Sequence, residues 1–168
     1  MQEFMVMPVG APSFAEALAF VEIDGTALRG EVNDLPPQEA QVWAALVTGV
    51  RDYLGKNDFP GAIIGLSGGV DSALVLAVAV DALGADKVRA VMMPSPYTAD
   101  ISWIDARDMA ERLGVRYDEI PIAPMFDAFC ASLAEQFAGL GEDTTEENIQ
   151  ARIRGTLLMA LSNKTGAI

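Results

Sequence analysis

The stretch that decides the fold runs from Gly61 to Ser72 and reads GAIIGLSGGVDS. Its first part, Gly61–Leu66, is a short apolar run bounded by turn residues, which is typical of a strand buried in a parallel sheet. The residues that follow the glycine-rich turn, Ser72–Leu83, have the composition of a helix, and Gly84 closes it. A buried strand that leads through a glycine-rich turn into a helix predicts an α/β fold.

The alternation of strands and helices continues on both sides of this stretch. Upstream, Trp43, Leu46, Val47, Val50 and Leu54 fall on one face of a helix, with Gly55 expected just past its end. Downstream, the pattern predicts two more strands, at Val88–Met93 and Tyr117–Ile122, and three helices, at Ile101–Leu113, Phe126–Phe137 and about 146–161, the last opened by a capping box from Thr144 to Glu147. We therefore expect a three-layer, Rossmann-like α/β fold with a parallel sheet.

Residues 1–36 differ from the rest of the chain. They contain several prolines and a single strand-like segment, Ala19–Ile23, followed by the turn signal Asp24-Gly25. We interpret residues 1–36 as a linker or tail, and residues 37–168 as the α/β region.

Composition excludes several classes of function. The 168 residues, 51% of them hydrophobic, can bury a core, and the net charge of −13 argues against binding to nucleic acid or to an anionic membrane. The chain has no histidine, which excludes a Ser–His–Asp triad and a histidine metal site. The one cysteine, Cys130, excludes an internal disulfide and is expected to be a buried thiol.

Targeting signals are also missing from the sequence. The longest uncharged apolar run, Ala73–Val80, has eight residues and is too short to span a bilayer. Met1–Phe14 contains no lysine or arginine, so a secretory signal is not expected. We expect a soluble cytoplasmic protein.

The loop Gly65–Ser72 is open to three interpretations. As G-x-S-x-G it matches a hydrolase nucleophile elbow, but the chain has no histidine to serve as the base. It lacks the lysine of a Walker A loop and the Rossmann glycine spacing. A phosphate loop remains, in which backbone N–H groups of Ser67, Gly68 and Gly69, and the N-terminus of the next helix, would face an anion.

Asp71 is informative within this loop, because a carboxylate beside a phosphate is repulsive unless Mg²⁺ lies between them. The alternative is that Asp71 and Ser72 only cap the helix. On the neighbouring strand, Met92 and Met93 could contact an adenine or belong to the core. On the last helix, Asn148 and Arg152 share one face and suit a dinucleotide, or are solvated polar residues.

The loop Ser67–Ser72 (SGGVDS) and four further stretches resemble sequences of known enzyme families. The loop resembles the pyrophosphate loop of ATP pyrophosphatases, a superfamily of adenylating enzymes. The stretches Asp81–Gly84, Met92–Thr98, Glu147–Gly155 and Leu158–Lys164 resemble glutamine-dependent NAD synthetases, in order along residues 37–168.

The resemblance implies an adenine-nucleotide-hydrolase-like fold whose sheet is incomplete at the C-terminus of this chain. It implies that deamido-NAD is adenylated by ATP and then amidated by ammonia, which a separate amidase domain releases from glutamine. ATP would bind Gly65, Leu66, Ser67, Gly68, Gly69, Val70, Asp71, Ser72 and Met93. Asp71 would hold Mg²⁺ and, with Ser67, act in catalysis, and Asn148 and Arg152 would bind deamido-NAD. Arg154 is expected to face elsewhere.

The chain also departs from the family pattern. The amidase domain and a second magnesium carboxylate are absent from these residues, and residues 1–36 resemble the linker that follows an amidase domain. We therefore expect the 168-residue fragment to be inactive alone and to form a homo-oligomer. The alternatives are another adenylating enzyme of the same superfamily, such as a tRNA-modifying one, and a non-catalytic module that retains the fold.

Overall fold

The computed structural model describes residues 10–168, which divide into two compact units that meet in sequence at Gly49 and Val50. Pro8 and most of the segment Met1–Phe14 lie outside the described residues. We describe the two units separately.

The first unit contains a hairpin of two antiparallel strands, β1 (Val21–Asp24) and β2 (Ala27–Gly30). Gly25 takes a positive φ of 61° in the turn between them. The strand-like segment expected at Ala19–Ile23 is thus confirmed with shifted bounds, but the second strand was not predicted, because Ala27–Gly30 shows no alternation of apolar and polar residues. Both strands are solvent-exposed along their whole length.

Helix α1 (Gln38–Lys56) runs past the position that the sequence analysis assigned to its end. Gly55 lies inside the helix, so that prediction was wrong. The helix is closed instead by Asp58, which takes a left-handed φ of 56°. The N–H of Phe59 donates to the carbonyl of Leu54 at 3.1 Å, and that of Asp58 to Gly55 at 3.3 Å. These bonds form a Schellman motif that satisfies the last helical carbonyls.

The second unit is built on a parallel sheet of three strands in the order β3 (Ala62–Gly65), β4 (Val88–Met92) and β5 (Arg116–Glu119). The free edge of β3 also pairs, because the N–H of Ile168 donates to Gly61 at 3.0 Å and its carbonyl accepts from Ile63 at 2.7 Å. The third strand is shorter than the predicted Tyr117–Ile122.

Four helices cover this sheet: α2 (Val70–Leu83), α3 (Asp100–Leu113), α4 (Ala123–Leu133) and α5 (Thr144–Thr165). On one face, Ala90 and Met92 of β4 pack with α2 and α3. On the other face, Val91 and Met93 pack with α4 and with Ile153 of α5. Because side chains of a strand alternate between faces, β4 contributes to both cores. The three-layer α/β prediction is confirmed.

Helices α4 and α5 differ from the predictions at their termini. Helix α4 begins at Ala123 and ends at Leu133, whereas the sequence pattern predicted Phe126–Phe137. The capping box of α5 is formed by Asp143 and Glu146, not by Thr144 and Glu147. The Asp143 carboxylate accepts from the N–H of Thr145 at 2.7 Å, and Glu146 accepts from the N–H of Asp143 at 2.9 Å. An acidic residue one position upstream offers the same acceptor as threonine, so the two registers look alike in sequence.

Across residues 10–168, the helices are all too short or too polar to cross a membrane.

Candidate nucleotide-binding site

The glycine-rich loop lies at the C-terminal ends of β3 and β4, at the edge where parallel α/β sheets bind ligands. A cavity of about 590 Å³ opens beside it. The cavity is lined from the loop, β4, the segment after β4 and α5, by Gly65, Leu66, Ser67, Met92, Met93, Thr98, Ala151, Arg154, Gly155 and Leu158. Another cavity, of about 230 Å³, lies at the opposite strand ends beside Gly61 and Lys87, away from the loop.

The two serine hydroxyls hold the loop in a closed turn. The hydroxyls of Ser67 and Ser72 lie 3.0 Å apart, and the N–H of Ser67 donates to the Ser72 hydroxyl at 3.1 Å. The Ser67 hydroxyl accepts from the N–H of Gly69 at 3.3 Å, and the Ser72 hydroxyl donates to the Gly69 carbonyl at 2.9 Å. The hydroxyls thus occupy loop N–H groups that the sequence analysis assigned to a phosphate. An incoming anion would have to compete with hydroxyls for these donors.

Helix α2 begins directly behind this turn, with Gly69 as its N-cap residue. No side chain caps the helix, so the alternative that Asp71 and Ser72 serve only as caps is wrong. The N–H groups of the first turn, from Val70 onward, have no carbonyl partner within the helix. They add the partial positive charge of a helix N-terminus to the loop.

Asp71 is exposed at the start of α2. Within residues 10–168 its carboxylate makes no hydrogen bond or ion pair, and no cluster of three or more metal-binding side chains exists. A single free carboxylate fits Mg²⁺ that takes its other ligands from phosphate oxygens and water, which is the coordination this ion prefers in nucleotide sites.

Met93 belongs to the core and also borders the cavity, while the predicted contact with an adenine stays a prediction. It is 7% exposed and belongs to the core cluster with Ile153, and it also lines the cavity. A β-carbon on Gly65 would lie 3.5 Å from the Met93 methyl group and 3.2 Å from Leu158. Gly65 therefore keeps the floor of the cavity open between two apolar side chains.

Asn148 and Arg152 are both exposed on α5, but outside this cavity. Arg152 lines a neighbouring cavity of about 600 Å³, together with Met159 and Asn163. Ala151 and Gly155 line both cavities. Small side chains at these two positions, one helical turn apart, let the cavities meet across α5.

Cys130 packs against the cluster that contains Ile122 and Phe126 but is only partly buried, so the expected buried thiol is confirmed in part.

Comparison with known families identifies the fold and the loop together. The family model described as NAD synthase matches residues 42–168, which is most of the chain. The chain belongs to the NAD synthase family.

Curated and solved members of the NAD synthase family agree with this assignment. The chain is 49% identical over 159 residues to the glutamine-dependent NAD(+) synthetase of Acinetobacter baylyi, covering 93% of this chain and 29% of that protein. A solved glutamine-dependent NAD+ synthetase from Acinetobacter baumannii, in complex with ADP, superposes with a TM-score of 0.91 at 46% identity, over 95% of this chain and 31% of that one. An NMN synthetase from Francisella tularensis gives a TM-score of 0.70 at 30% identity, over 80% of this chain and 53% of that one.

The 168 residues thus span about a third of the length of the glutamine-dependent NAD synthetases that they match. The matched region starts after the hairpin of the first unit and contains the whole three-stranded sheet.

One charged residue of this NAD synthase chain lines the cavity without having been predicted there. Arg154, expected to face away from the site, lines the cavity, and its Nε donates to the carbonyl of Met93 at 3.0 Å. The only signal in the sequence was its spacing of two residues from Arg152, which directs the two side chains to different sides of a helix. Which side faces the cavity depends on how α5 packs against β4.

Proposed function

We propose that this chain is the ATP-binding part of a glutamine-dependent NAD synthetase. The observation that carries the proposal is the loop Gly65–Ser72, which opens α2 at the wall of the cavity beside the strand ends. The ADP complex of the 46% identical Acinetobacter baumannii protein supports an adenine nucleotide as the ligand. Met93 and Leu158 supply apolar surface for the adenine, and the loop with the start of α2 supplies donors for the phosphates.

The proposed reaction has two steps. An oxygen of the nicotinate carboxylate of deamido-NAD attacks the α-phosphorus of ATP. The bond between the α-phosphorus and the oxygen that bridges to the β-phosphorus breaks, and pyrophosphate leaves. Ammonia then attacks the carboxyl carbon of the adenylate, AMP leaves, and a proton is released as the amide forms. Backbone N–H groups and the hydroxyls of Ser67 and Ser72 stabilise charge on the phosphates. Neither step requires a histidine.

Mg²⁺ is part of this proposal. When bound, the ion would neutralise phosphate charge, and Asp71 would hold it as one ligand. In the neighbouring cavity that Arg152 lines, Arg152 would pair with a phosphate or carboxylate of deamido-NAD. Asn148 would extend the same helix face. Because Ala151 and Gly155 line both cavities, the two substrates can approach each other there.

Magnesium-dependent binding tests the assignment of Asp71. We expect ATP to bind this chain more tightly with Mg²⁺ than with EDTA, and Asp71→Asn to remove that gain, which corresponds to a loss of about tenfold or more. Asp127→Asn, which removes an exposed carboxylate from α4, is the matched control and keeps the gain. Isothermal titration measures both. If Asp71→Asn keeps the full gain, the metal assignment is wrong, and if ATP does not bind at all, the phosphate loop is wrong.

The acceptor is tested in a hybrid enzyme. Residues 42–168 replace the matching segment of the Acinetobacter baylyi synthetase, and product formation is followed with glutamine, ATP and either deamido-NAD or nicotinate mononucleotide. We expect NAD⁺ from deamido-NAD to predominate, and this chain alone to form none. Preferential amidation of the mononucleotide would favour the activity named for the Francisella tularensis relative, and AMP transfer to tRNA would favour a tRNA-modifying enzyme.

We further propose that ammonia reaches this site from an amidase domain for which residues 1–36 form the linker, that residues 37–168 are the first part of the synthetase domain, and that the protein is a cytoplasmic homo-oligomer. Light scattering of the purified chain gives its mass in solution, and a monomer at all concentrations would contradict the oligomer.

A further inference from the structure

Arg154 is a partly buried cation on α5, at the wall of the cavity beside the loop. Its Nε donates to the carbonyl of Met93 at 3.0 Å, which fixes the guanidinium to the end of β4. Burial lowers the pKa of Arg154 below its usual value, since partial desolvation disfavours the charged form.

The other nitrogen atoms of this guanidinium have no protein partner. Within residues 10–168, Met93 is the only residue to which Arg154 donates, and no carboxylate forms an ion pair with it. Four other arginines of the unit pair with carboxylates, Arg89 and Arg116 with Asp118, Arg107 with Glu119, and Arg112 with Asp108. Arg51 donates to backbone carbonyls outside the cavity. A desolvated cation without an anion, held rigidly at the edge of a cavity, is arranged to bind an anionic ligand.

We propose that Arg154 binds a phosphate group of the nucleotide in the cavity beside the loop, whereas Arg152 serves the neighbouring cavity. This inference rests on the proposed function. The two arginines are two residues apart on one helix, so they project to different sides and line different cavities. The loop contributes neutral donors to the cavity, and Arg154 of α5 contributes a positive charge.

A purely structural role for Arg154 predicts a different result. If the bond to Met93 only fixed β4 against α5, loss of the side chain would weaken binding of every adenine ligand equally. A phosphate contact weakens binding only of ligands that carry phosphate. Comparing ATP with adenosine, which shares the base and ribose, therefore separates the two roles.

The experiment measures the affinities of this chain for ATP and for adenosine by isothermal titration. Arg154→Met keeps an unbranched stem about as long as that of arginine up to Nε and removes the charged group. We expect it to weaken ATP binding about tenfold or more and to leave adenosine binding within about twofold. Arg154→Lys, which keeps a charge but not the fork of donors, is expected to restore part of the ATP affinity. Arg112→Met, which removes an exposed arginine from α3 outside the cavity, is the matched control and is expected to keep the wild-type ATP affinity.

Equal losses for ATP and adenosine, or an unchanged ATP affinity in Arg154→Met, would overturn the inference. If Arg154→Met does not fold, Arg154→Gln replaces it, and a wild-type ratio of ATP to adenosine affinity in this neutral variant would overturn the phosphate contact. A failure of the proposed function can be told apart from a failure of this inference. In that case ATP binding would still depend on Arg154, but the hybrid enzyme would form no NAD⁺.

Discussion

Two glycines in the stretch Gly61–Gly68 lie where the backbone of another part of the chain comes too close for a side chain. A β-carbon on Gly61 would overlap the carbonyl oxygen of Lys87, next to β4. One on Gly68 would overlap the carbonyl oxygen of Ser102 and lie 2.7 Å from its Cα, in the first turn of α3. Gly68 also takes a φ of 81°, which other residues rarely adopt. The loop is therefore held by backbone contacts as well as by its serine hydroxyls.

Replacing Gly68 by alanine combines two costs, strain at positive φ and overlap with Ser102. We expect Gly68→Ala to lower the free energy of unfolding by about 2 kcal/mol or more. Gly139→Ala is the matched control, since Gly139 has the same φ of 81° with no atom within 4 Å, and is expected to lose about 1 kcal/mol. Urea unfolding measures both, and equal losses would show that Ser102 yields to the methyl group.

Single residues differ in how well the sequence could predict them. Ser67, Asp71 and Ser72 were placed at a helix start beside a strand end from local spacing alone. Met93 could not be assigned to core or cavity, because its strand contributes to both. Arg154 was missed because its surroundings come from Met93, 61 residues earlier in the chain. Contacts of that range are set by packing rather than by local pattern.

At the scale of elements, β4 and β5 are joined by charge as well as by backbone hydrogen bonds. Asp118 of β5 accepts from Arg89 of β4 at 2.6 Å and from its neighbour Arg116 at 3.1 Å. Partial burial opposes ionisation of Asp118, but the hydrogen bonds from the two arginines outweigh it, and the pKa of this carboxyl lies below its ordinary value. The Arg89 side chain is only 18% exposed, so the pair is shielded from solvent.

A carboxyl whose pKa is lowered by folding stabilises the folded state above the unfolded pKa, and this contribution disappears as the pH falls through the folded pKa. We expect Asp118→Asn to lower the free energy of unfolding at pH 7 by about 1 to 3 kcal/mol, because Arg89 loses a charged partner. The difference from wild type should shrink below about pH 4. Urea unfolding between pH 7 and pH 3 measures it.

Asp52→Asn is the control for this prediction. Asp52 pairs with Lys56 on the exposed face of α1, and the pair is worth at most a few tenths of a kcal/mol. A constant difference between Asp118→Asn and wild type at every pH would mean that ionisation of Asp118 does not contribute.

Elements were predicted better than their termini. All three strands of the sheet and all helices of the second unit were located from apolar periodicity and from glycines at helix ends. The start of α5 was misplaced by one residue, since Asp143 and Thr144 are equally good acceptors in sequence. The end of α1 was misplaced because a non-glycine residue, Asp58, takes the left-handed position.

At the scale of the whole molecule, the net charge of −13 lowers the stability of the compact folded state relative to the expanded unfolded chain. The described ion pairs neutralise only some of the acidic residues. The remaining carboxylates repel one another in the folded state more strongly than in the expanded unfolded chain.

Screening this repulsion should stabilise the protein. We expect the urea midpoint to rise when NaCl is raised from about 0.01 to 0.15 M, because the Debye length falls from about 30 to 8 Å. KCl at the same ionic strength is expected to give the same rise, and the rise should be smaller near pH 4, where carboxylates become neutral. A midpoint that falls with salt would mean that attractive ion pairs dominate.

The fold class of the molecule could be predicted from the sequence, but the positions of its cavities could not. Alternating strands and helices indicate a three-layer fold whose ligands bind at the strand ends. That α5 separates two cavities, and that Ala151 and Gly155 border both, follows only from the angle at which α5 crosses the sheet. No local pattern encodes that angle.

The backbone contacts of Gly61 and Gly68 have an evolutionary consequence. Natural selection for folding alone would keep both glycines, whether or not the protein catalyses a reaction. A descendant that had lost its activity would retain these glycines and could still resemble an active enzyme in a database search. The carboxylate of Asp71 makes no hydrogen bond within residues 10–168, so substitutions at Asp71 are the informative record of whether a lineage still uses its loop.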